Sequence, residues 1–181
     1  MIIQNPFDSH VHWLGTGVFK NLLSLAHLKS AEGVCDLRIQ SQHYRGEWLL
    51  GRGWDQNSWA RADKSQSAAF PTKVILDRYF PNTPVAFKRV DGHALWVNSL
   101  AIQKAGGEKA FSHFSSEVLR TSDGALSGIL IDSAMEPVER LIPQLSLATS
   151  REALISGMQS LNQSGFTHIR DLSCDPVQWQ A

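Results

Sequence analysis

Two histidines stand two positions apart near the start of the chain, His10 and His12 in the stretch FDSHVH, with Asp8 just before them. In an extended strand alternate side chains share a face, so the two imidazoles would project from one side of a sheet. Neutral imidazole nitrogen is a good ligand for zinc and similar ions, but a catalytic zinc site takes three protein ligands and an open position for water. The pair is therefore part of a metal site, or it is two polar residues on an edge strand.

The elements that would position this pair can be read from local patterns. A short apolar run, Ile2–Phe7, interrupted by Pro6, predicts a strand that delivers the histidines at its carboxyl end. In VFKNLLSLAHL, Val18–Leu28, the spacing of Leu22, Leu25 and Leu28 predicts an amphipathic helix, with His27 an ordinary histidine on it. EWLLGRGWD predicts a short strand opening into a glycine turn, and FPTKVILDRYFP predicts a helix between Pro71 and Pro81. Val85–Val90 reads as a strand closed by an Asp91-Gly92 turn, and ALWVNSLAIQKAGG as a helix ended by Gly106 and Gly107.

From Gly107 to Gly128 the chain reads as loop, with a hairpin around Asp123-Gly124. Pro137 marks a helix start rather than a helix interior, and Asp132 is best read as a cap for that segment. Thr149 and Glu152 have capping-box spacing, Leu154–Leu161 is apolar at helical intervals, and Gly165 supplies a stop. FTHIRDL then predicts a strand with Asp171 at its carboxyl end. Helix, glycine and strand ending in a carboxylate make a unit of an alternating α/β fold.

Composition limits the setting. A chain of 181 residues with 43% hydrophobic content can bury one core with a subdomain, but not two large domains. Its 17 basic and 17 acidic residues cancel and form no basic run, which argues against nucleic acid and against an anionic membrane surface as partners. Cys35 and Cys174 are far apart and read as free thiols, which fits a reducing compartment. With neither a basic leader nor a long apolar run, a cytoplasmic protein that does not span a membrane is expected. GRG at Gly51–Gly53 lacks the further glycine and helix of a phosphate loop.

DSHVH, GRGWDQNSW, RVDGHALWVNSLAI, GILIDSAM and SGFTHIRD, in this order and spacing, resemble the amidohydrolase superfamily, and most closely the branch containing N-substituted formamide deformylase. The resemblance implies an α/β fold: part of a (β/α)₈ barrel, about two barrel strands, with a mixed α+β insertion subdomain. On that reading residues 1–12 form the first barrel strand with its metal motif, 13–143 the insertion, and 144–181 a helix and the second barrel strand. It also implies that His10 and His12 are metal ligands and that Asp8 orients a histidine by accepting its other ring proton. Trp54, Asp55, Arg89, Asp91, His93, Trp96, Asn98 and Asp171 become substrate-binding candidates. A plainer reading makes Asp91-Gly92 a turn, Trp54 and Trp96 core aromatics, and Asn98 a residue holding backbone. Both readings stand for these residues, with His93 and Asp91 the foremost functional candidates.

A barrel of this kind takes about 250 residues, so the resemblance also implies a chain truncated at both ends. It would begin after the small β-sandwich segment of such enzymes and stop after the second barrel strand. A divalent metal, zinc by expectation, would bind firmly only where other segments complete the site, and this chain alone would hold none tightly. The function implied is a fragment of a hydrolase that cleaves C–N bonds of small amides, N-formyl or N-acyl, through metal-activated water, and that is inactive by itself. Exposed parallel strands would favour self-association or docking on a complementary chain. The alternatives are a non-catalytic remnant that serves protein interaction, and an aromatic binding module suggested by the six tryptophans.

Overall fold

A computed structural model describes residues 6–59, 69–174 and 176–181. In chain order the strands are β1 (Phe7–Val11), β2 (Leu23–Ser24), β3 (Tyr44–Arg45), β4 (Trp48–Trp54), β5 (Val85–Arg89), β6 (Ala94–Val97), β7 (Val118–Arg120), β8 (Leu126–Ile131) and β9 (His168–Asp171). The helices are α1 (Trp13–Phe19), α2 (Lys73–Tyr79), α3 (Ser99–Lys104), α4 (Glu136–Glu139), α5 (Leu147–Gln163) and α6 (Pro176–Gln180). The chain divides into two compact units, one of Met1–Asn21 with Gln144–Ala181, the other Leu22–Pro143. Residues 13–21, expected to belong to the subdomain 13–143, fall in the first unit, where α1 packs on α5.

In the first unit β1 and β9 pair in parallel, with Phe7 opposite His168, Asp8 opposite Ile169 and Val11 opposite Asp171. The strand expected over Ile2–Phe7 falls in part on residues 1–5, outside the described residues. The strand observed starts at Phe7, so His10 lies within it and His12 just after its end. Helix α5 begins earlier than the Thr149 and Glu152 pattern suggested. Ser146 is the cap, its Oγ accepting from the Thr149 N–H at 3.1 Å, since it stands where the backbone is still extended. The helix ends before Gly165, whose φ of 92° carries the chain out of the helical path.

Glycine sets the approach of α1 to α5. A Cβ on Gly17 would lie 1.7 Å from the Ala153 carbonyl oxygen, and one on Gly157 would lie 2.8 Å from the Trp13 carbonyl oxygen. The indole Nε1 of Trp13 donates to the Leu154 carbonyl at 2.7 Å, fixing the crossing.

The second unit is built on a sheet of order β2-β4-β5-β6-β8-β7, with β3 antiparallel on β4. Strands β2, β4 and β5 run parallel, and β5, β6, β8 and β7 pair antiparallel. Alternate residues feed opposite faces: Trp48, Leu50, Ala86, Leu95, Val97 and Leu130 enter one apolar cluster. Leu49, Val85, Phe87, Ala94, Trp96 and Ile129 enter the other. A sheet buried on both faces loses the polar-apolar alternation that marks a strand in sequence.

That burial accounts for two corrections. Ala94–Val97 is strand β6, not helix, because all four residues are buried between β5 and β8, and only Ser99–Lys104 is helical. The helix expected over Val18–Leu28 does not form: α1 ends at Phe19, and Leu23 and Ser24 pair with Gly51 and Arg52. Leu25 and Leu28 enter the second cluster with Leu23, whereas Leu22 packs against the first, so the leucines at helical spacing serve opposite faces of the sheet. The hairpin around Asp123-Gly124 forms as β7 and β8, and Pro137 sits in the first turn of α4.

The glycine contact gives a test by amide hydrogen exchange of α1 and α5. Gly17→Ala is expected to lower local stability by about 1–3 kcal/mol, since the helices must move apart. Gly15→Ala, whose Cβ meets nothing nearer than 3.5 Å, is expected to raise it by about 0.5–1 kcal/mol through helix propensity.

Candidate functional site

In the first unit, parallel pairing brings the carboxyl ends of β1 and β9 side by side, and the chemistry-bearing residues gather there. The rings of His10 and His12 lie 5.5 Å apart between centroids, at 70° to each other. Two imidazoles on one tetrahedral ion would have centroids about 5.2 Å apart, given zinc–nitrogen distances of about 2.0–2.1 Å. Behind His12 a relay of hydrogen bonds runs to β9. Ser173 Oγ donates to Asp171 Oδ1 at 3.0 Å and lies 2.9 Å from His12 Nδ1. With its only proton committed to the carboxylate, the hydroxyl accepts from Nδ1–H, which leaves the His12 Nε2 lone pair available. Asp171 also accepts from the backbone N–H groups of Ser173 at 2.8 Å and Trp13 at 3.2 Å.

Ser173 is the residue that sequence reading missed, since a serine after a strand carries no signal of its own. Asp8 departs from its expected role: its Oδ1 accepts from the backbone N–H of His10 at 3.0 Å and so holds the main chain. A side chain this short reaches the amide two residues on more readily than a ring.

In the second unit Asp55, Arg89, Asp91 and His93 lie at strand ends and turns. Arg89 holds Asp91 through a fork, Nε to both carboxylate oxygens at 3.0 Å and Nη2 to Oδ2 at 2.5 Å, and its guanidinium stands 5.7 Å from the Phe70 ring centroid. The Arg89 bonds, with smaller help from the His93 N–H, hold the Asp91 carboxyl at about 2, below its usual 3.8. Asp55 Oδ1 accepts from the Asn57 N–H at 2.9 Å and caps the turn Gln56–Ser58. His93 receives two carboxylates, Asp91 Oδ1 on its backbone N–H at 3.0 Å and Asp132 Oδ1 at 2.8 Å from its ring Nδ1. Asp132 is therefore not the helix cap that its position suggested. The turn Asp132–Met135 is held by Glu117, whose Oε2 accepts from the Ala134 N–H at 3.0 Å.

Trp54, Trp96 and Asn98 follow the plainer reading. The three side chains are wholly buried, with Trp54 Nε1 donating to the Phe87 carbonyl at 2.7 Å and Trp96 Nε1 to the Thr72 carbonyl at 3.1 Å. Asn98 Oδ1 accepts from Val85 and Ala101 N–H groups, and its Nδ2 donates to the Phe80 and Thr83 carbonyls. It caps α3 and ties that helix to β5 and to the loop after α2.

Two solved structures share this fold. An uncharacterized metal-dependent hydrolase from Pyrococcus furiosus matches over 97% of this chain and 33% of its own, at 24% identity and a TM-score of 0.59. One from Pyrococcus horikoshii OT3 matches over 96% of this chain and 32% of its own, at 18% identity and a TM-score of 0.60. The architecture is thus a mixed α/β one, with parallel strands, of the kind found in metal-dependent hydrolases. Residues 7–181 match Amidohydro_3, the amidohydrolase family, and the chain belongs to that family. The amidohydrolase candidate YtcJ of Bacillus subtilis (strain 168) is 31% identical over 92% of this chain. LONG AFTER FAR-RED 3 of Arabidopsis thaliana is 27% identical over 99% of it. The chain spans 31% of the length of each of these relatives.

The family implies a divalent metal. Among the described residues no group of three or more His, Cys, Asp or Glu side chains is placed to hold one. His10 and His12 fit as a ligand pair, but the complete ligand set is not met. No helix among the described residues is long and apolar enough to cross a membrane.

Two outcomes test these assignments. Asn98→Ala leaves several buried backbone groups unpaired and is expected to destabilise the second unit by at least about 3 kcal/mol in urea denaturation. The Asp91 carboxyl is depressed in the folded chain, so its contribution to stability is present above the unfolded value and lost as pH falls towards about 2. Acid unfolding followed by tryptophan fluorescence is expected to show a decline in stability between these values that is reduced in Asp91→Asn.

Proposed function

We propose that this chain is the amino-terminal part of a (β/α)₈ amidohydrolase barrel, carrying two of its strands and its insertion subdomain, and that it does not turn over substrate by itself. The observation that carries the reading is the pair of imidazoles at the end of β1, at a spacing that suits one shared ion and with the His12 Nε2 freed by Ser173. In the intact enzyme His10 and His12 would be metal ligands, and the metal, zinc in this reading, would activate water for attack on a C–N bond of a small amide, N-formyl or N-acyl. The N-substituted formamide deformylase-like branch is the substrate class proposed, on the five sequence motifs. Asp171 is assigned to orienting His12 through Ser173, while Asp55, Arg89, Asp91 and His93 are assigned to substrate binding from the insertion. The intact enzyme is placed in the cytoplasm.

Open edges support a partner. Among the described residues β1 and β9 have only each other, and Ile155, Met158, Leu172 and Trp179 of the same unit are large apolar residues left exposed. Unpaired parallel strands and exposed apolar side chains favour association with another chain. The occupant proposed is a complementary barrel segment or a second copy.

Metal analysis and amide hydrolysis assays test both parts. The isolated chain is expected to bind zinc weakly, with the binding lost in His10→Ala and His12→Ala, and to leave N-formyl and N-acyl amides intact. Adding a polypeptide that carries the later strands of a relative is expected to raise zinc affinity. Stoichiometric tight zinc with turnover by the isolated chain would overturn the reading, and a monomeric mass by light scattering at all concentrations would remove the second copy as partner.

A further inference from the structure

His43, in the second unit, is a buried titratable side chain with no part in the sites above. It is 8% exposed and ends the turn Ser41–His43, where its ring folds back so that Nδ1 accepts from the Gln40 backbone N–H at 3.0 Å. A ring nitrogen that accepts an N–H carries no proton of its own, so the proton of the neutral ring sits on Nε2. Among the described residues that Nε2–H meets no acceptor. A donor taken this far out of water without a partner is costly, and such groups persist where something else supplies the acceptor.

The ring lines a cavity of about 390 Å³ within the second unit, together with Leu22, Leu23, Asp36, Leu37 and Arg38. That volume lies in the range of small-molecule sites, about 300–1,000 Å³. The three leucines give it an apolar wall. Asp36, the last residue of the turn Ala31–Asp36, and Arg38, two positions on, bring opposite charges to the same hollow. Among the described residues neither side chain forms an ion pair or a hydrogen bond, with the other or with any neighbour. Opposite charges that share a cavity without closing on each other complement a ligand that carries both signs. A metal ion suits the place poorly, because Nε2 presents a proton and not a lone pair. Nor do three His, Cys, Asp or Glu side chains gather there among the described residues.

We propose that this cavity binds a small zwitterion of the α-amino-acid type with an apolar side chain. The ligand's carboxylate takes the Arg38 guanidinium, which can offer two parallel N–H groups, and the His43 Nε2–H. Its ammonium meets the Asp36 carboxylate, and its side chain lies against Leu22, Leu23 and Leu37. Every group involved belongs to the second unit, so the site depends neither on the His10 and His12 pair nor on the amidohydrolase reading.

The test titrates L-leucine into the full chain without metal and follows the side-chain nitrogen and proton resonances of His43 and Arg38. The wild-type ring is expected to be protonated at Nε2, and both side chains to shift saturably with a Kd of about 1 mM. Leucinamide, which lacks the carboxylate, and 4-methylpentanoate, which lacks the ammonium, are each expected to bind at least about fivefold more weakly. Arg38→Gln, at an exposed position, is expected to weaken leucine about tenfold. His43→Asn keeps an oxygen that can accept from the Gln40 amide but removes the deeper donor, and a loss of about three- to tenfold is expected. Asp36→Asn is expected to weaken leucine and not 4-methylpentanoate. Urea midpoints establish that each variant is folded. A ring protonated at Nδ1, the absence of saturable leucine binding by the wild-type chain, leucinamide binding as tightly as leucine, or an affinity unmoved by both Arg38→Gln and His43→Asn would each overturn the proposal.

Discussion

Parallel pairing requires a crossover that returns the chain to the same end of the sheet, and here β1 and β9 pair across a very long one. The bond between His12 and Ser173 spans 161 positions of sequence. Everything at the candidate metal pair depends on that return. Without β9 beside β1, neither Ser173 nor Asp171 would lie behind His12, and the imidazole would have no fixed tautomer. The crossover is held in turn by α1 against α5, where Gly17 and Gly157 permit backbone to meet backbone.

The second unit solves a different problem. Its sheet buries both faces, so most residues of β4, β5, β6 and β8 are apolar, and the buried Asn98 ties elements together with four bonds. The candidate residues Asp55, Arg89, Asp91 and His93 lie at strand ends and turns, with Asp132 against His93. There a fork of charge-assisted bonds and one left-handed residue, Asp132 at a φ of 46°, give an otherwise mobile imidazole a defined direction.

What the sequence could show follows from which signals are local. FTHIRDL alternates and is bounded by Gly165, so β9 and the place of Asp171 at its end were legible. Val85–Arg89 with its Asp91-Gly92 turn was legible for the same reason. ALWV was not, because a strand buried on both faces has no period and the helix after it lends it a helical look. The Leu22, Leu25 and Leu28 spacing misled because Leu22 packs against one apolar cluster and Leu25 and Leu28 enter the other, a split that reproduces a helical interval. Among the candidate residues of the two units, His10, His12, Asp91 and His93 stood out by residue type and motif. Their partners Ser173 and Asp132 come from distant parts of the chain, and only the fold brings them near.

The second unit enters between α1 and α5, leaving β1, both helices and β9 of the first unit uninterrupted within themselves. Such a cassette, joined at two loop crossings, can diverge, be exchanged or be lost over evolutionary time while the strands that carry the imidazoles keep their register. Change confined to such a module leaves the register of β1 against β9, and with it the hydrogen bond between Ser173 and His12, as it was.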